Sequence, residues 1–233
     1  MNIGLIGYGA MGQLVGNLAT QKGHEIVVKI DIDGADRSIE NLVASLRACD
    51  VAIDFSIADA VPRNAEACAL AQTPLVVGTT GWLSEVEKVR SIIERSNGTL
   101  IYGANFSIGV QIFYRVAARA AELFRNVEAY DPFIEEAHHK RKLDAPSGTA
   151  LQLEKIAEQG LGREVPVSST RAGYMPGTHR LGFDSAADQI RITHEARSRE
   201  GFAAGALMAA EWIVGHKGFY EFSEVFDEII KSR

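Results

Sequence analysis

The chain has 233 residues, of which 46% are apolar and 23% charged, and a formal net charge of -6. This composition is typical of a globular protein with one large domain or two modest ones. The negative charge excludes a general attraction to DNA or anionic lipid. No apolar run reaches the roughly 18–20 residues of a membrane span. We therefore expect neither a nucleic acid nor a membrane as partner.

Cysteine usage and the first residues bear on the compartment. The two cysteines, Cys49 and Cys68, lie in apolar surroundings without metal-ligand spacing, so we expect buried reduced thiols. The sequence opens with a strand pattern and has no charged segment followed by an apolar signal region. We therefore expect a cytoplasmic protein.

The first part of the chain alternates between apolar runs and helical spacing. Strands are predicted at 2–6, 24–31, 51–56, 74–81 and 99–106, and helices at 10–21, 58–71 and 83–95. Strands that alternate with helices are typical of parallel βαβ units, whose crossovers are right-handed. The pattern predicts an α/β fold with a parallel sheet over residues 1–105.

The pattern changes near residue 105. Helices are predicted at 108–124 and 148–159, and strands at 133–139, 165–170, 178–184 and 188–197. Strands that follow one another favour a mixed or antiparallel sheet, so residues 106–205 are predicted to form a second domain of α+β type. The spacing after Arg199 is helical again, and helices at about 206–233 could pack back on the first domain.

A glycine-rich turn follows the first strand. The segment GYGAMG at 7–12 fits G-x-G-x-x-G, with a strand before it, a helix from its second half onward, and an acid, Asp31, at the end of the next strand. Gly7 permits the turn, Gly9 lets the backbone approach a pyrophosphate, and Gly12 lets helix and strand pack closely. The helix N-terminus offers N–H groups to the phosphates. The pattern predicts a Rossmann-type dinucleotide-binding domain, and a turn without a ligand is the alternative. The predicted contacts in this turn are Gly7, Tyr8, Gly9, Ala10, Met11 and Gly12.

Asp31 bears on the choice of cofactor. A carboxylate there could accept hydrogen bonds from both ribose hydroxyls of NAD and would repel a 2′-phosphate, which favours NADH without excluding NADPH. Asp33 competes for this role, and Lys29 is the only close cation, on the same side as Asp31. A plain strand-end acid is the alternative.

Two further segments lie at strand ends, where open parallel sheets bind ligands. We predict that both contact the cofactor, and ordinary loop chemistry is the alternative for each. The segments comprise Gly78, Thr79 and Thr80, and Gly103, Ala104, Asn105 and Phe106.

The segment HHKRKLDAPSGTA at 138–150 places the densest cationic cluster directly before a helix. It could be a solvated surface run, a nucleic-acid patch or a site for an anionic small molecule. The net charge and the lack of interleaved aromatic residues argue against nucleic acid. Adjacent histidines have poor metal-ligand spacing, so no metal is predicted. Pro146 turns the chain, and helix N–H groups near Gly148 and Thr149 then converge with the cations on a site for a carboxylate.

At this point a family resemblance becomes visible. EAHHKRKLDAPSGTA strongly resembles the signature of the 4-hydroxy-tetrahydrodipicolinate reductase (dihydrodipicolinate reductase) family, and GYGAMG, GTTGW, GANFSIGV and ITHEARSREGFAAGA resemble its other motifs over nearly the whole chain. The resemblance implies that 106–205 is a substrate-binding and oligomerisation domain with a mixed sheet, which usually forms a homotetramer. It also implies NADH- or NADPH-dependent reduction of a cyclic dicarboxylate to tetrahydrodipicolinate in the diaminopimelate route to lysine.

The resemblance also assigns site residues. By similarity, His138 and Lys142 match the proton donors of the family. Hydride addition to a conjugated imine builds negative charge that a nearby cationic acid neutralises, and we expect neighbouring cations to lower the pKa of both donors. The residues that match substrate contacts are His139, Gly148, Thr149 and Arg199.

The chain departs from the family in its glycine turn, where the Arg often found there is absent from Ala10-Met11-Gly12-Gln13. Two rival hypotheses stay open. One is another two-domain dehydrogenase that acts on a small carboxylate, and the other is a nucleotide-sensing module without turnover.

Overall fold

The computed structural model describes residues 1–31 and 38–232. The chain divides into two compact units, one formed by Met1–Ser107 with Glu200–Arg233 and the other by Ile108–Arg199. Each unit has its own sheet. The assignment of dinucleotide binding to residues 1–105, and of substrate binding and oligomerisation to residues 106–205, stays a prediction.

The first unit contains a six-stranded sheet in which every neighbouring pair is parallel, in the order β10-β5-β4-β3-β1-β2. The α/β fold with a Rossmann-type sheet is thereby confirmed. The strands are β1 (Asn2–Ile6), β2 (Glu25–Ile30), β3 (Val51–Asp54), β4 (Leu75–Val77), β5 (Thr99–Tyr102) and, near the end of the chain, β10 (Gly218–Glu221).

Helices of this unit pack in two groups. In one, α3 contacts both α2 and α4, and in the other α7 contacts α1 and α8. The sheet between them is buried along whole strands, since β3 and β4 are buried at every residue, as a parallel sheet covered on both faces requires. The helices are α1 (Ala10–Gln21), α2 (Ile39–Leu46), α3 (Val61–Ala71), α4 (Val86–Arg95), α7 (Glu200–Ile213) and α8 (Phe222–Lys231), with short 3-10 helices at Ala58–Ala60 and Leu83–Glu85.

Two elements of this unit are additions to the predicted set. Helix α2 begins after Ser38, whose side chain accepts a hydrogen bond from the Asn41 N–H, and its cap and apolar spacing were visible in the sequence. Strand β10 has four residues and owes its extended form to pairing with β5. Conversely, β4 and β5 are shorter than predicted. Gly78 and Gly103, which were predicted to lie within these strands, lie in the loops that follow them.

The second unit is α+β with a mixed sheet, as predicted. Strands β6 (Asp131–His138), β7 (Val167–Arg171), β8 (Thr178–Asp184) and β9 (Gln189–Glu195) lie in the order β7-β6-β8-β9. β6 is parallel to β7 and antiparallel to β8, which is antiparallel to β9.

Helices α5 (Ile108–Phe124) and α6 (Gly148–Leu161) pack against each other and against the sheet. Residues that alternate along β6 therefore have different surroundings. Ile134 packs in the apolar core with Leu181 and Phe183 of β8, and Glu136 and His138 continue the same face. On the opposite face, Arg180 and Thr193 are exposed.

Within residues 1–31 and 38–232, no helix combines the length and apolarity needed to cross a membrane. Cys49 and Cys68 are buried free thiols, as expected. Burial raises the pKa of Cys49 to about 11.

Candidate active site

The glycine turn after β1 is shaped by close backbone contacts. Gly7 has φ +84°, and a methyl group there would lie 2.4 Å from the Phe55 carbonyl oxygen. A methyl group on Gly12 would lie 2.1 Å from the Gly7 carbonyl oxygen. Gly9, by contrast, has open space around its Cα and begins α1 without a side-chain cap. The turn therefore leaves room for a ligand beside Gly9 and the first N–H groups of the helix.

The other predicted residues around this turn are accessible. Tyr8 and Met11 are half-buried and Ala10 is exposed. Asp31 is exposed just beyond β2, and Lys29 lies over the Tyr8 ring, 4.4 Å from its centroid. The competing acid, Asp33, lies outside the described residues.

A buried carboxyl group, Asp54, lies at the end of β3 and was not predicted. It accepts hydrogen bonds from Ser56 Oγ at 2.6 Å, Thr79 Oγ at 2.8 Å and Asn64 Nδ2 at 2.9 Å. Burial raises the pKa of Asp54, and these hydrogen bonds oppose the rise. The Thr79 hydroxyl is thus committed to Asp54, whereas Thr80 is exposed. Asp54 was recognisable only as an acid at the end of an apolar run.

Carboxyl ends of neighbouring strands β4, β5 and β10 surround a cavity of about 130 Å³. Four of its lining residues belong to the two strand-end segments predicted to bind the cofactor, and Glu221 was missed because β10 was missed. The lining includes Thr79, Thr80, Tyr102, Gly103, Ala104 and Glu221.

The remaining two residues of the second segment have structural contacts. Phe106 is buried, with its ring centroid 4.6 Å from that of Phe222. Asn105 Oδ1 accepts a hydrogen bond from the Ser107 N–H at 2.8 Å. The Phe106 side chain is therefore part of the core and not a surface for a ligand.

In the second unit, the cationic segment begins at the last residue of β6. His138 is buried, with 7% of its surface exposed, whereas Lys140 and Arg141 are exposed in the turn that follows. His138 Nδ1 is hydrogen-bonded to Glu136 Oε2, and Arg171 Nη2 donates to Glu136 Oε1 at 2.6 Å. His138 therefore has a fixed partner inside the protein, whereas Lys140 and Arg141 are solvated.

Glu136 is an ionised carboxylate in a buried place. Burial alone would raise its pKa, but hydrogen bonds from Arg171, Ser169 and His138 together outweigh that effect and lower the pKa to about 2. Its side chain is inaccessible to solvent. Neither Glu136 nor Arg171 was predicted as a site residue, although Glu136 stands two positions before His138 and therefore on the same face of the strand.

The pKa of His138 is lowered from its usual value. Burial is the largest cause, Glu136 acts in the opposite direction, and Lys142 and Arg171 lower it further. The direction expected from the neighbouring cations is therefore found, but burial is the stronger effect. Lys142 Nζ forms an ion pair with Asp144 Oδ1 at 2.9 Å.

A second buried histidine, His179 of β8, completes the cluster. Its ring centroid lies 5.1 Å from that of His138, and its Nε2 is 3.1 Å from Ser147 Oγ. Burial, assisted by the neighbouring His138, lowers the pKa of His179 to about 4. His179 is therefore neutral near pH 7. Sequence reasoning missed it because the register of β6 against β8 brings it here.

Three of the predicted substrate contacts adjoin this cluster along the chain, since His139 follows His138 and Gly148 and Thr149 follow Ser147. His139 Nδ1 is buried and has no hydrogen-bond partner among the described residues. Gly148 has open space where a side chain would stand, and the Thr149 carbonyl accepts a hydrogen bond from the Tyr114 hydroxyl at 3.3 Å. Arg199 is exposed directly before α7.

Three ligand-type atoms, from Glu136, His138 and His179, lie within 4.8 Å of one another. The adjacent His138 and His139 have poor metal-ligand spacing, but the fold brings His138 next to His179 instead. However, Glu136 already accepts hydrogen bonds from Arg171 and His138, and the guanidinium charge opposes a cation at this carboxylate.

The parallel sheet with its glycine turn, and the mixed sheet with its buried ionisable cluster, define the class as a two-unit α/β protein with a Rossmann-type sheet. The family description "Dihydrodipicolinate reductase, N-terminus" matches residues 1–106, and "Dihydrodipicolinate reductase, C-terminus" matches residues 109–226. The chain therefore belongs to the dihydrodipicolinate reductase family.

Relatives agree with this membership. The 4-hydroxy-tetrahydrodipicolinate reductase of Christiangramia forsetii is 39% identical, with all of both chains covered. That of Anaeromyxobacter sp. is 35% identical over 80% of this chain and 76% of its own. A dipicolinate-bound dihydrodipicolinate reductase from Paenisporosarcina sp. TG-14 shares the fold, with a TM-score of 0.79, 21% identity, and 97% of this chain and 99% of that chain covered.

Proposed function

We propose that the chain catalyses the NAD(P)H-dependent reduction of 4-hydroxy-tetrahydrodipicolinate to tetrahydrodipicolinate, a step of the diaminopimelate route to lysine. Family membership supports the reaction. The single observation that carries the site is the buried His138, held by Glu136 and followed by cations and the N-terminus of α6. A cyclic dicarboxylate needs such an arrangement of positive charge and N–H donors next to an acid.

In this proposal, the first unit binds the nucleotide. In the proposal, the backbone from Gly7 to Gly12 and the N-terminus of α1 hold the phosphates, and the cavity beside Thr80 and Ala104 receives the nicotinamide end. NAD(P)H, when bound, supplies the hydride.

Proton transfer falls to His138, with Lys142 as a second donor. The substrate ring loses water to give a conjugated imine, a hydride adds to one end of the π-system, and His138 delivers a proton to the other end. The negative charge that develops there is thereby neutralised. We assign the two substrate carboxylates to His139, Gly148, Thr149 and Arg199, whose donors include an unpartnered imidazole nitrogen and the first N–H groups of α6.

We further propose NADH as the preferred cofactor. Asp31 is exposed at the end of β2, where a carboxylate favours the two ribose hydroxyls over a 2′-phosphate. Lys29 lies against the Tyr8 ring.

We also propose a homotetramer assembled through the mixed sheet. Support comes from the exposed face of that sheet, where Arg180 of β8 and Arg191 and Thr193 of β9 face solvent. The substitution Thr193→Arg should reduce the mass measured by light scattering, whereas Thr20→Arg on α1 should not. A monomeric wild-type protein would contradict this assembly.

For the compartment, we propose the cytoplasm, which supplies reduced nicotinamide cofactors. The free thiols of Cys49 and Cys68 accord with it. Cell fractionation tests this, and recovery with an extracytoplasmic fraction would contradict it.

One assay tests the reaction and separates the rival hypotheses. The substrate is generated from pyruvate and aspartate semialdehyde by the upstream synthase, and the absorbance of NADH and of NADPH is followed. We expect oxidation of cofactor that depends on both precursors and the synthase. Failure to oxidise either cofactor would exclude the reductase. Nucleotide binding without turnover would favour a sensing module, and turnover with a different small carboxylate alone would favour the other dehydrogenase.

A further inference from the structure

Strands β6 and β7 hold three side chains on one face of the mixed sheet. Glu136 and His138 are two residues apart on β6, and Arg171 of β7 is in register with His138. Arg171 Nη2 donates to Glu136 Oε1 and to the Asp144 carbonyl, both at 2.6 Å, and Arg171 Nη1 donates to the Thr170 carbonyl at 2.8 Å. The guanidinium group is therefore fixed on several sides, and it fixes the carboxylate.

We propose that Glu136, held in place by Arg171, is a positioning residue that determines which ring nitrogen of His138 exchanges the proton. The inference rests on the proposed function, in which His138 is the proton donor. It adds an element that acts through His138 and does not touch the substrate.

The chemistry of the donor set leads to this assignment. A carboxylate only accepts hydrogen bonds, so the hydrogen bond between Glu136 Oε2 and His138 Nδ1 requires the proton to be on Nδ1. The other nitrogen, Nε2, is then the one that accepts and releases a proton during turnover. Glu136 is held ionised because the hydrogen bonds it receives lower its pKa to about 2. Arg171 thus keeps Glu136 an acceptor, and Glu136 keeps His138 in one tautomer.

Charges around His138 determine the expected pH effect. Burial lowers the pKa of His138, Glu136 raises it, and Lys142 and Arg171 lower it, while His179 packs beside it as a neutral ring. Removal of the Glu136 charge therefore lowers the pKa of His138. A general acid is active when protonated, so the loss of activity at alkaline pH should begin at a lower pH.

The substitution Glu136→Gln tests the proposal kinetically. Arg171 can only donate, so it holds the amide oxygen at the position of Oε1. The amide N–H group then faces Nδ1 and favours the wrong tautomer. We expect kcat to fall on the order of 10²-fold or more, KM to change by less than about threefold, and the alkaline limb of the kcat/KM profile to move to lower pH. Glu164→Gln, an exposed acid in the same unit, is the matched control and should retain all three values.

The tautomer itself supplies a readout that does not depend on turnover. Long-range ¹H–¹⁵N NMR spectra of the histidine rings should show His138 protonated at Nδ1 in the wild-type protein and at Nε2 in Glu136→Gln. If the wild-type protein shows this signature but reduces no substrate, the proposed function fails and the positioning role stands. If it turns over and Glu136→Gln keeps the wild-type kcat and pH profile, the positioning role fails and the function stands.

Conservative variants guard against a trivial loss of folding. Arg171→Lys keeps the positive charge but loses the forked donor. We expect kcat to fall in this variant, whereas the midpoint of thermal unfolding stays close to that of the wild-type protein. Glu136→Asp keeps the acceptor and should recover part of the activity lost in Glu136→Gln. Equal loss of activity in Glu136→Asp and Glu136→Gln, with both proteins folded and KM unchanged, would overturn the assignment.

Discussion

The two proposed binding regions differ in what shapes them: closely packed backbone in the first unit, and buried ionisable side chains in the second. Around the glycine turn, the backbone comes so close that a methyl group on Gly12 would lie 2.1 Å from a carbonyl oxygen. Around His138, the shape is set by buried ionisable side chains, with Glu136 accepting hydrogen bonds from Arg171 and His138. The first region depends on the absence of side chains and the second on their charge. Substitutions that add volume should therefore damage the first, and substitutions that change protonation should damage the second.

The largest effect is expected on the charged side of this comparison. His138→Gln should reduce kcat by roughly 10²–10⁴-fold, as is typical for a lost general acid, with nucleotide affinity nearly unchanged. Steady-state kinetics and nucleotide titration measure the two quantities. His216→Gln, an exposed histidine of the first unit, is the matched control. A wild-type rate for His138→Gln would reassign the proton donor to Lys142.

Glycine substitutions test the other side. Gly12→Ala should lower the free energy of unfolding by about 1–3 kcal/mol, because the methyl group overlaps the Gly7 carbonyl. Gly9→Ala meets open space and should leave that energy within about 0.5 kcal/mol, yet weaken nucleotide binding roughly tenfold. Chemical denaturation and nucleotide titration separate the two effects. Equal loss of stability in both variants would contradict the packing argument.

Cofactor preference should change more modestly. Asp31→Ala removes the carboxylate that opposes a 2′-phosphate, so the ratio of kcat/KM for NADPH to that for NADH should rise several-fold, roughly 1 kcal/mol. Glu25→Ala, at the opposite end of β2, is the control. An unchanged ratio in Asp31→Ala would direct attention to Asp33.

A pH titration of stability sharpens the comparison on the side of the buried ionisable groups. The folded pKa of His179, about 4, lies below the ordinary value of 6.5. The unfolded state therefore binds more protons between these values, and the free energy of unfolding should fall as pH decreases, by at most about 1.4 kcal/mol per pH unit. His179→Gln should flatten this part of the profile measured by denaturation. An identical slope in wild type and variant would refute the linkage.

Much of the architecture followed from the sequence because its signals are local. The alternation of apolar runs, the glycine turn and the break near residue 105 led to a Rossmann-type sheet followed by a mixed one, and the structure confirms both. The glycine pattern also predicted close backbone contacts, and Gly7 and Gly12 indeed leave no room for a side chain.

Prediction was poorer where a partner comes from a distant strand. The segment from His138 to Lys142 was singled out for its own charges. The side chains around His138 are those of Glu136, Arg171 and His179. Arg171 and His179 belong to neighbouring strands, and the register of those strands places them there. Likewise, β10 is defined by pairing with β5, and Glu221 could not be placed without it. Local patterns indicate elements, whereas register decides which ionisable groups meet.

The network around Asp54 has a consequence for ligand entry. One carboxyl group joins the end of β3, helix α3 and the loop after β4 through Ser56, Asn64 and Thr79. The base of the parallel sheet's ligand-facing edge is thus fixed by the protein's own side chains. A molecule that docks there loses its own mobility but freezes little of the protein, so a larger share of the contact energy is retained as affinity.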